Sequence, residues 1–156
     1  MTMNRPTSKV LIRNDSGYEE TLWAFELGND VYKLDNSPFF AYGVSYQDEI
    51  LAKPRRPGEI PEMIRIHKKS GNRTIRIAGD KKTGRDRIGE KVLNDILALE
   101  CSYEGASRRY VSVNIPPEAD LEKVVDYLIE HNQFWEYADP TFEEVHKGRS
   151  AGTNRR

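Results

Sequence analysis

Arg73-Thr-Ile-Arg-Ile-Ala78 is the stretch on which the reading of the fold turns. Ile75 and Ile77 alternate against Arg73 and Arg76, the period of a half-buried strand. Downstream of it the pattern changes. Residues 79–85 form a polar, basic loop, and Asp86 is of the type that caps a helix in which Ile88, Val92, Leu93, Ile96, Leu97 and Glu100 fall at helical spacing. A strand over 101–104, a turn over 105–108 and a strand over 110–115 follow, the last with Val111, Val113 and Ile115 inward and Pro116-Pro117 as its stop. Asp120 caps a second helix with a core-facing stripe of Leu121, Val124, Val125, Leu128 and Ile129, and 134–137 reads as a final strand before Asp139-Pro140. The order β-α-β-β-α-β is the ferredoxin-like arrangement, in which two helices cover one face of an antiparallel sheet.

Upstream of Arg73 no helical period occurs. Strands are expected over 9–13, 20–27, 31–35, 49–53 and 62–68, divided by turn formers: Asp15-Ser16-Gly17, Gly28-Asn29-Asp30, and a loop over 54–61 that holds three prolines. Five strands in some seventy residues predict a small curled sheet or barrel. The fold class is therefore α+β: a barrel-like N-terminal half over 1–71 packed on a ferredoxin-like half over 72–142, with a basic disordered tail over 143–156. No linker separates the halves.

Between two of the expected strands lies Asp35-Asn-Ser-Pro-Phe-Phe-Ala-Tyr-Gly-Val-Ser-Tyr-Gln-Asp48, the densest run of aromatics and turn formers in the chain. Its structural reading is an aromatic plug that joins the halves. Its functional reading sets Tyr42 and Tyr46 at the rim of a pocket or a protein-binding surface, where such residues serve as anchors.

A chain of 156 residues is long enough to bury a core without a metal or disulfide staple, and its one cysteine, Cys101, has no internal partner. Cys101 reads as a small buried residue. Neither a signal-type apolar run nor a membrane span is present in the sequence, so a cytoplasmic protein is expected. The net charge of −1 hides a segregation: from Lys53 to Arg87 there are 12 Lys or Arg against 4 acids, or +8, the last twelve residues add +4, and the rest carries −13. The Gly-x-Ser-x-Gly, Gly-x-x-x-x-Gly-Lys and Gly-x-Gly-x-x-Gly signatures are missing, and His67, His131 and His146 lack neighbours at ligand spacing. The expectation is therefore no metal, no cofactor and no catalytic residue.

Two charged features remain. Glu118, Glu122, Asp126 and Glu130 recur every fourth residue, stacking like charges along one helical face. Such a stripe opposes folding mildly unless a basic partner, or Lys123, Arg108 or Arg109 of the same chain, relieves it. Lys68, Lys69, Arg73, Arg76, Lys81, Lys82, Arg85 and Arg87 flank two turns and a strand, a spacing that suits a phosphate backbone. Few aromatics interleave with those cations, however, which weakens a single-strand reading.

Glu20-Thr-Leu-Trp-Ala24, Leu27-Gly28, Tyr32-Lys-Leu-Asp-Asn36, Pro38-Phe-Phe-Ala-Tyr-Gly-Val-Ser-Tyr46, Asp48, Ser70-Gly71, Leu99-Glu-Cys101, Val113-Asn-Ile-Pro-Pro117 and Trp135-Glu-Tyr137 together resemble the bacterial family known as domain of unknown function 4265. The chain departs from the pattern of that family at Gln47, where Gly is expected, and at Asn72, where His is expected. The resemblance implies a bacterial cytoplasmic protein and one unit spanning both halves; it supplies no activity, cofactor or catalytic residue. The leading functional expectation is a non-enzymatic protein-binding module, in its most concrete form an immunity-type antitoxin that blocks a cognate toxin through the acidic helical face. The alternative is a nucleic-acid or ribosome-associated regulator that uses the basic span, and a weaker third is an enzyme or ligand binder with a pocket beneath Tyr42 and Tyr46.

Overall fold

A computed structural model describes residues 6–147; of Lys81 and Ala106 only the backbone is described. The N-terminal half is a closed barrel of β1 (Ser8–Arg13), β2 (Glu19–Gly28), β3 (Val31–Leu34), β4 (Glu49–Lys53) and β5 (Glu62–Lys68). Successive strands pair antiparallel, and a parallel bridge between Leu11 and Glu62 closes the ring. The β2–β3 turn holds Asn29 and Asp30 at φ 55° and 63°, the left-handed pair that matches the twist of a tight hairpin. The aliphatic face of the alternating β2 points inward: Leu22 and Ala24 join Val10, Ile12, Leu34 and Ile50 in the core, while Trp23 lies outside under the Lys9 ammonium at 4.7 Å.

The C-terminal half comprises β6 (Arg73–Ala78), a short 3-10 turn (Lys81–Thr83), α1 (Glu90–Ala98), β7 (Ser102–Ser107), β8 (Tyr110–Ile115), α2 (Leu121–Glu130), β9 (Phe134–Asp139) and α3 (Phe142–Val145). Its sheet is antiparallel in the order β7-β8-β6-β9. Ile75 and Ile77 of β6, Val111 and Val113 of β8, and Trp135 and Tyr137 of β9 share one core with Val92, Leu93 and Ile96 of α1 and Val124, Val125 and Leu128 of α2.

The halves therefore have separate apolar cores, and what lies between them is polar. The buried polar residues are Ser37, Ser45 and Asp48 of the 35–48 segment and Asn72, Thr74, Arg76, Ser112, Asn114 and Asp139 of the second half. The second face of the sheet, which alternation alone would give to solvent, is laid against the 35–48 segment. Ser112 Oγ donates to Pro38 O at 2.7 Å and lies 3.0 Å from Ser37 Oγ; Ser45 Oγ donates to Asp139 Oδ2 at 2.6 Å and lies 2.7 Å from Thr74 Oγ1; Gly43 N donates to Ala138 O at 2.8 Å. Burial in such a place requires these partners, because an unpaired buried polar group costs about 1–3 kcal/mol.

Several expectations need correction. Arg73 has the parity of Ile75, so the polar face of β6 is Thr74 and Arg76; Arg73 instead caps the chain beyond β8 by donating to Pro116 O and Ala119 O at 2.7 and 2.6 Å. Asp86 caps nothing: the N-cap of α1 is Gly89, with Ile88 buried ahead of the helix, Leu97 exposed and Glu100 beyond the C-cap at φ 70°. In α2 Asp120 does cap, accepting from Glu122 N and Lys123 N, but Glu118 precedes the helix and Ile129 is exposed. The residues expected to start a tail at 143 instead form α3, held by a capping box between Thr141 and Glu144. The tail beyond 147 lies outside the described residues.

Candidate functional site

Glu20 fixes the aromatic segment. Its carboxylate accepts the backbone N–H groups of Phe39, Phe40 and Ala41, each at 2.8 Å, so the side chain of one barrel strand ties down the loop that leaves the barrel. Ala41 and Val44 are the residues of this loop that enter the barrel core. Its rings are not the plug. Phe40 and Tyr42 are 42% and 44% exposed, so the join between the halves is made by backbone carbonyls and small polar side chains instead.

Those carbonyls converge on Arg76, whose side chain is 1% exposed. Its guanidinium donates to Ala41 O at 2.8 Å, to Pro38 O and Phe40 O at 3.4 Å, and to Glu136 Oε2 at 3.1 Å, and it lies 4.7 Å from the centre of the Tyr42 ring. Tyr42 closes the set by donating to Glu136 Oε1 at 2.7 Å. Burial, then the Glu136 carboxylate, raises the Tyr42 phenol above its ordinary range. Tyr110 donates to Phe39 O at 2.5 Å, and burial pushes its phenol up to about 12. Phe40 stacks between Tyr18 and Tyr110, at centroid distances of 5.7 and 6.4 Å.

The outer end of this assembly is open. A cleft of about 520 Å³ is lined by Arg76, Ala78, Lys82, Tyr110, Phe134 and Glu136. It shares Ala78 and Phe134 with a second cleft of about 430 Å³ that runs under the 79–89 loop and along 131–133. Tyr42 adjoins this opening through Glu136. Tyr46 does not share it: half-buried, with its phenol raised by burial and by Asp35 and Glu104, it belongs to a separate niche in which its carbonyl accepts from Ser70 Oγ at 2.7 Å and Asn72 Nδ2 at 3.0 Å. The structure thus separates the two tyrosines expected to act together.

A second polar knot joins the halves through Lys69. Its ammonium donates to Asp48 Oδ2 at 2.6 Å, Asp139 Oδ2 at 2.5 Å and Gly43 O at 3.1 Å. Burial alone would lower its pKa, but the hydrogen bonds to Asp139 and Asp48 outweigh that and raise it. Asp139 also holds Ser45, which is 0% exposed, so the serine hydroxyl is out of reach of any substrate. Cys101 is likewise buried, and burial pushes its thiol up to about 11, away from the reactive thiolate.

Of the basic span, then, Lys69, Arg73 and Arg76 are occupied internally. Lys68, Lys82, Arg85 and Arg87 are exposed, and the side chain of Lys81 lies outside the described residues. On α2, Glu122, Asp126 and Glu130 are all exposed and join no ion pair among the described residues. The cations expected to relieve them are engaged elsewhere or stand apart: Arg108 Nε donates to Ile88 O at 2.9 Å, Arg109 lies 3.8 Å from Asp86, and Lys123 makes no ion pair. His131 ends α2, stacked on Tyr127 at 4.0 Å.

The family model described as Domain of unknown function (DUF4265) matches residues 20–137, which takes in the Glu20 clamp, the aromatic segment, Arg76 and Glu136. The chain belongs to the DUF4265 family. Within it, both departures noted in the sequence fall at the junction of the halves. Gln47 takes φ 66°, a conformation that glycine adopts freely, and Asn72 is a buried hub that bonds Tyr46 O, Ser70 Oγ and Asn114. No curated protein matches this DUF4265 chain in sequence. The crystal structure of a hypothetical protein from Neisseria gonorrhoeae is similar at a TM-score of 0.68 and 21% identity, over 88% of this chain and 96% of that one, a likeness of fold.

Proposed function

We propose that this DUF4265 protein is a non-enzymatic protein-binding module whose acidic α2 face docks a basic partner, in its most concrete form an immunity-type antitoxin covering the active site of a cognate toxin. One observation carries the reading: Glu122, Asp126 and Glu130 project from one helix with no cation of this chain paired to them among the described residues. Stacked like charges destabilise a helix, and a basic partner turns that cost into attraction that speeds and orients association. The element order, together with the strand order β7-β8-β6-β9, supports reading the C-terminal half as ferredoxin-like, with α1 and α2 as an outer layer available to a partner. No helix among the described residues is long and apolar enough to cross a membrane, and the buried lone thiol of Cys101 accords with a cytoplasmic site of action.

The test begins with the protein that co-purifies from the native host, produced separately and titrated against this chain. Reversal of Glu122, Asp126 and Glu130 to Lys is expected to weaken binding about 100-fold at low salt, chiefly through the association rate. An unchanged affinity for that partner excludes the α2 face as the contact.

A further inference from the structure

Of the joined clefts at the outer end of β6 and β9, the first lies on the sheet face opposite α2 and the second reaches round the sheet end to Val92 of α1 and to His131 beyond the last turn of α2; the acidic surface does not account for them. Their walls bring together what the sequence keeps apart. Tyr110 comes from the start of β8 and Phe134 from the start of β9, while Lys82, Arg85 and Arg87 come from the loop between β6 and α1; Tyr42, outside the walls, is tied to them by its hydrogen bond to Glu136. The scarcity of aromatics among the cations, which counts against strand binding in the linear sequence, is thus reversed in space.

We propose that these clefts bind single-stranded nucleic acid, with bases stacked on Phe134 and Tyr110 and the phosphate backbone held by Lys82, Arg85 and Arg87. The charge balance favours a polyanion. Glu136 is matched by Arg76 at 3.1 Å and Asp86 by Arg109 at 3.8 Å, while Asp80, whose carboxylate accepts the backbone N–H of Lys82 at 3.0 Å, keeps its charge. Lys82, Arg85 and Arg87 are exposed and join no ion pair among the described residues, so three cations stand against the one carboxylate of Asp80 and the rim is net positive. Dimensions favour a short single strand. A cleft of about 520 Å³ is within the range that encloses one small ligand, and its continuation into about 430 Å³ past the shared Phe134 gives a path for adjoining nucleotides. A duplex is excluded by the same geometry, because rings inside a cleft can stack only on bases already free of their partners. Arg76 does not contact phosphate; its guanidinium is occupied by Glu136 and three carbonyls and positions the floor.

The experiment is fluorescence anisotropy of the full chain with labelled dodecamers of deoxythymidine and of uridine, at about 50 mM and about 200 mM salt. Binding is expected at the lower salt, with a log–log salt slope of roughly −2 if three cations each meet one phosphate. Phe134→Ala is expected to cost roughly 5- to 100-fold in affinity with the slope retained, and Phe134→Tyr to restore it. The triple change Lys82→Ala, Arg85→Ala and Arg87→Ala is expected to flatten the slope; these exposed side chains make no internal ion pair, and a thermal melt checks that each variant is folded. Absence of binding by the folded wild-type chain at the lower salt overturns the proposal. So does binding that Phe134→Ala leaves untouched, or full displacement of the oligonucleotide by a polyglutamate dodecamer whose own binding ignores Phe134→Ala, which would assign the basic rim to an acidic protein segment. The α2 charge-reversed protein is expected to bind the oligonucleotide at least as well as wild type, so this outcome is independent of the proposed protein partner.

Discussion

At the scale of single residues, the most consequential contact is that of Glu20 with three successive backbone N–H groups. One carboxylate satisfies donors that would otherwise be unpaired where the chain leaves the barrel, and hydrogen bonds to a charged group are the strong ones. Glu20→Ala is expected to destabilise the protein by about 2–3 kcal/mol in urea unfolding. Gln47 acts in the opposite sense. Its φ of 66° is strained for a side-chain-bearing residue, and Gln47→Gly is expected to raise stability by up to about 1 kcal/mol, less whatever its amide contributes by accepting from Asn72 at 3.5 Å. The sequence made the position of Gln47 suspect through the family resemblance, but the partners of Glu20 lie nineteen to twenty-one residues away and no local pattern announces them.

Among the elements, legibility followed periodicity. β6 and β8 end where the alternation of their apolar residues ends, and α2 starts after Asp120 because the carboxylate there accepts two N–H groups of the first turn. Asp120→Ala is expected to cost about 1 kcal/mol, read as a lower melting temperature. α1 begins later than its sequence suggests because the 79–89 loop folds back on itself: Asp80 bridges Arg85, and Asp86 O lies 1.9 Å from where a β-carbon on Gly79 would be. A residue of capping type was thus used to close a loop. α3, at four residues, is too short to show any period, and only its Thr141–Glu144 capping box could have marked it.

For the whole molecule, two apolar cores are fastened by a polar seam, and this the sequence could not reveal. Thr74, Arg76, Ser112, Asn114 and Glu136 follow the same polar-out alternation whether they face water or another half of the chain. The clefts were hidden for a related reason, since their rings and cations come from three separate stretches. The acidic α2 stripe, by contrast, was legible because period and charge coincide, although Glu118 falls outside it. Titration gives the fold a common weakness at high pH. Burial raises Cys101 to about 11 and Tyr110 to about 12, so the unfolded chain loses these protons first and stability falls as pH rises through that range. Lys69, raised by Asp139 and Asp48 against burial, contributes stability that is fully present below the ordinary lysine value of about 10.4 and is lost above its folded value. Urea midpoints are therefore expected to be level near neutrality and to fall above about pH 9, with a shallower fall over the lower part of that range in Cys101→Ala.

In the proposed function α2 is the surface that a protein partner covers. Hydrogen–deuterium exchange of this chain alone and in complex with its purified co-isolated partner tests it most directly. Slowed exchange is expected over α2 and the turn before it, residues 118–130, with the 36–46 and 133–136 segments unchanged. Slowing confined to those two segments, with α2 exchanging as in the free protein, would contradict it.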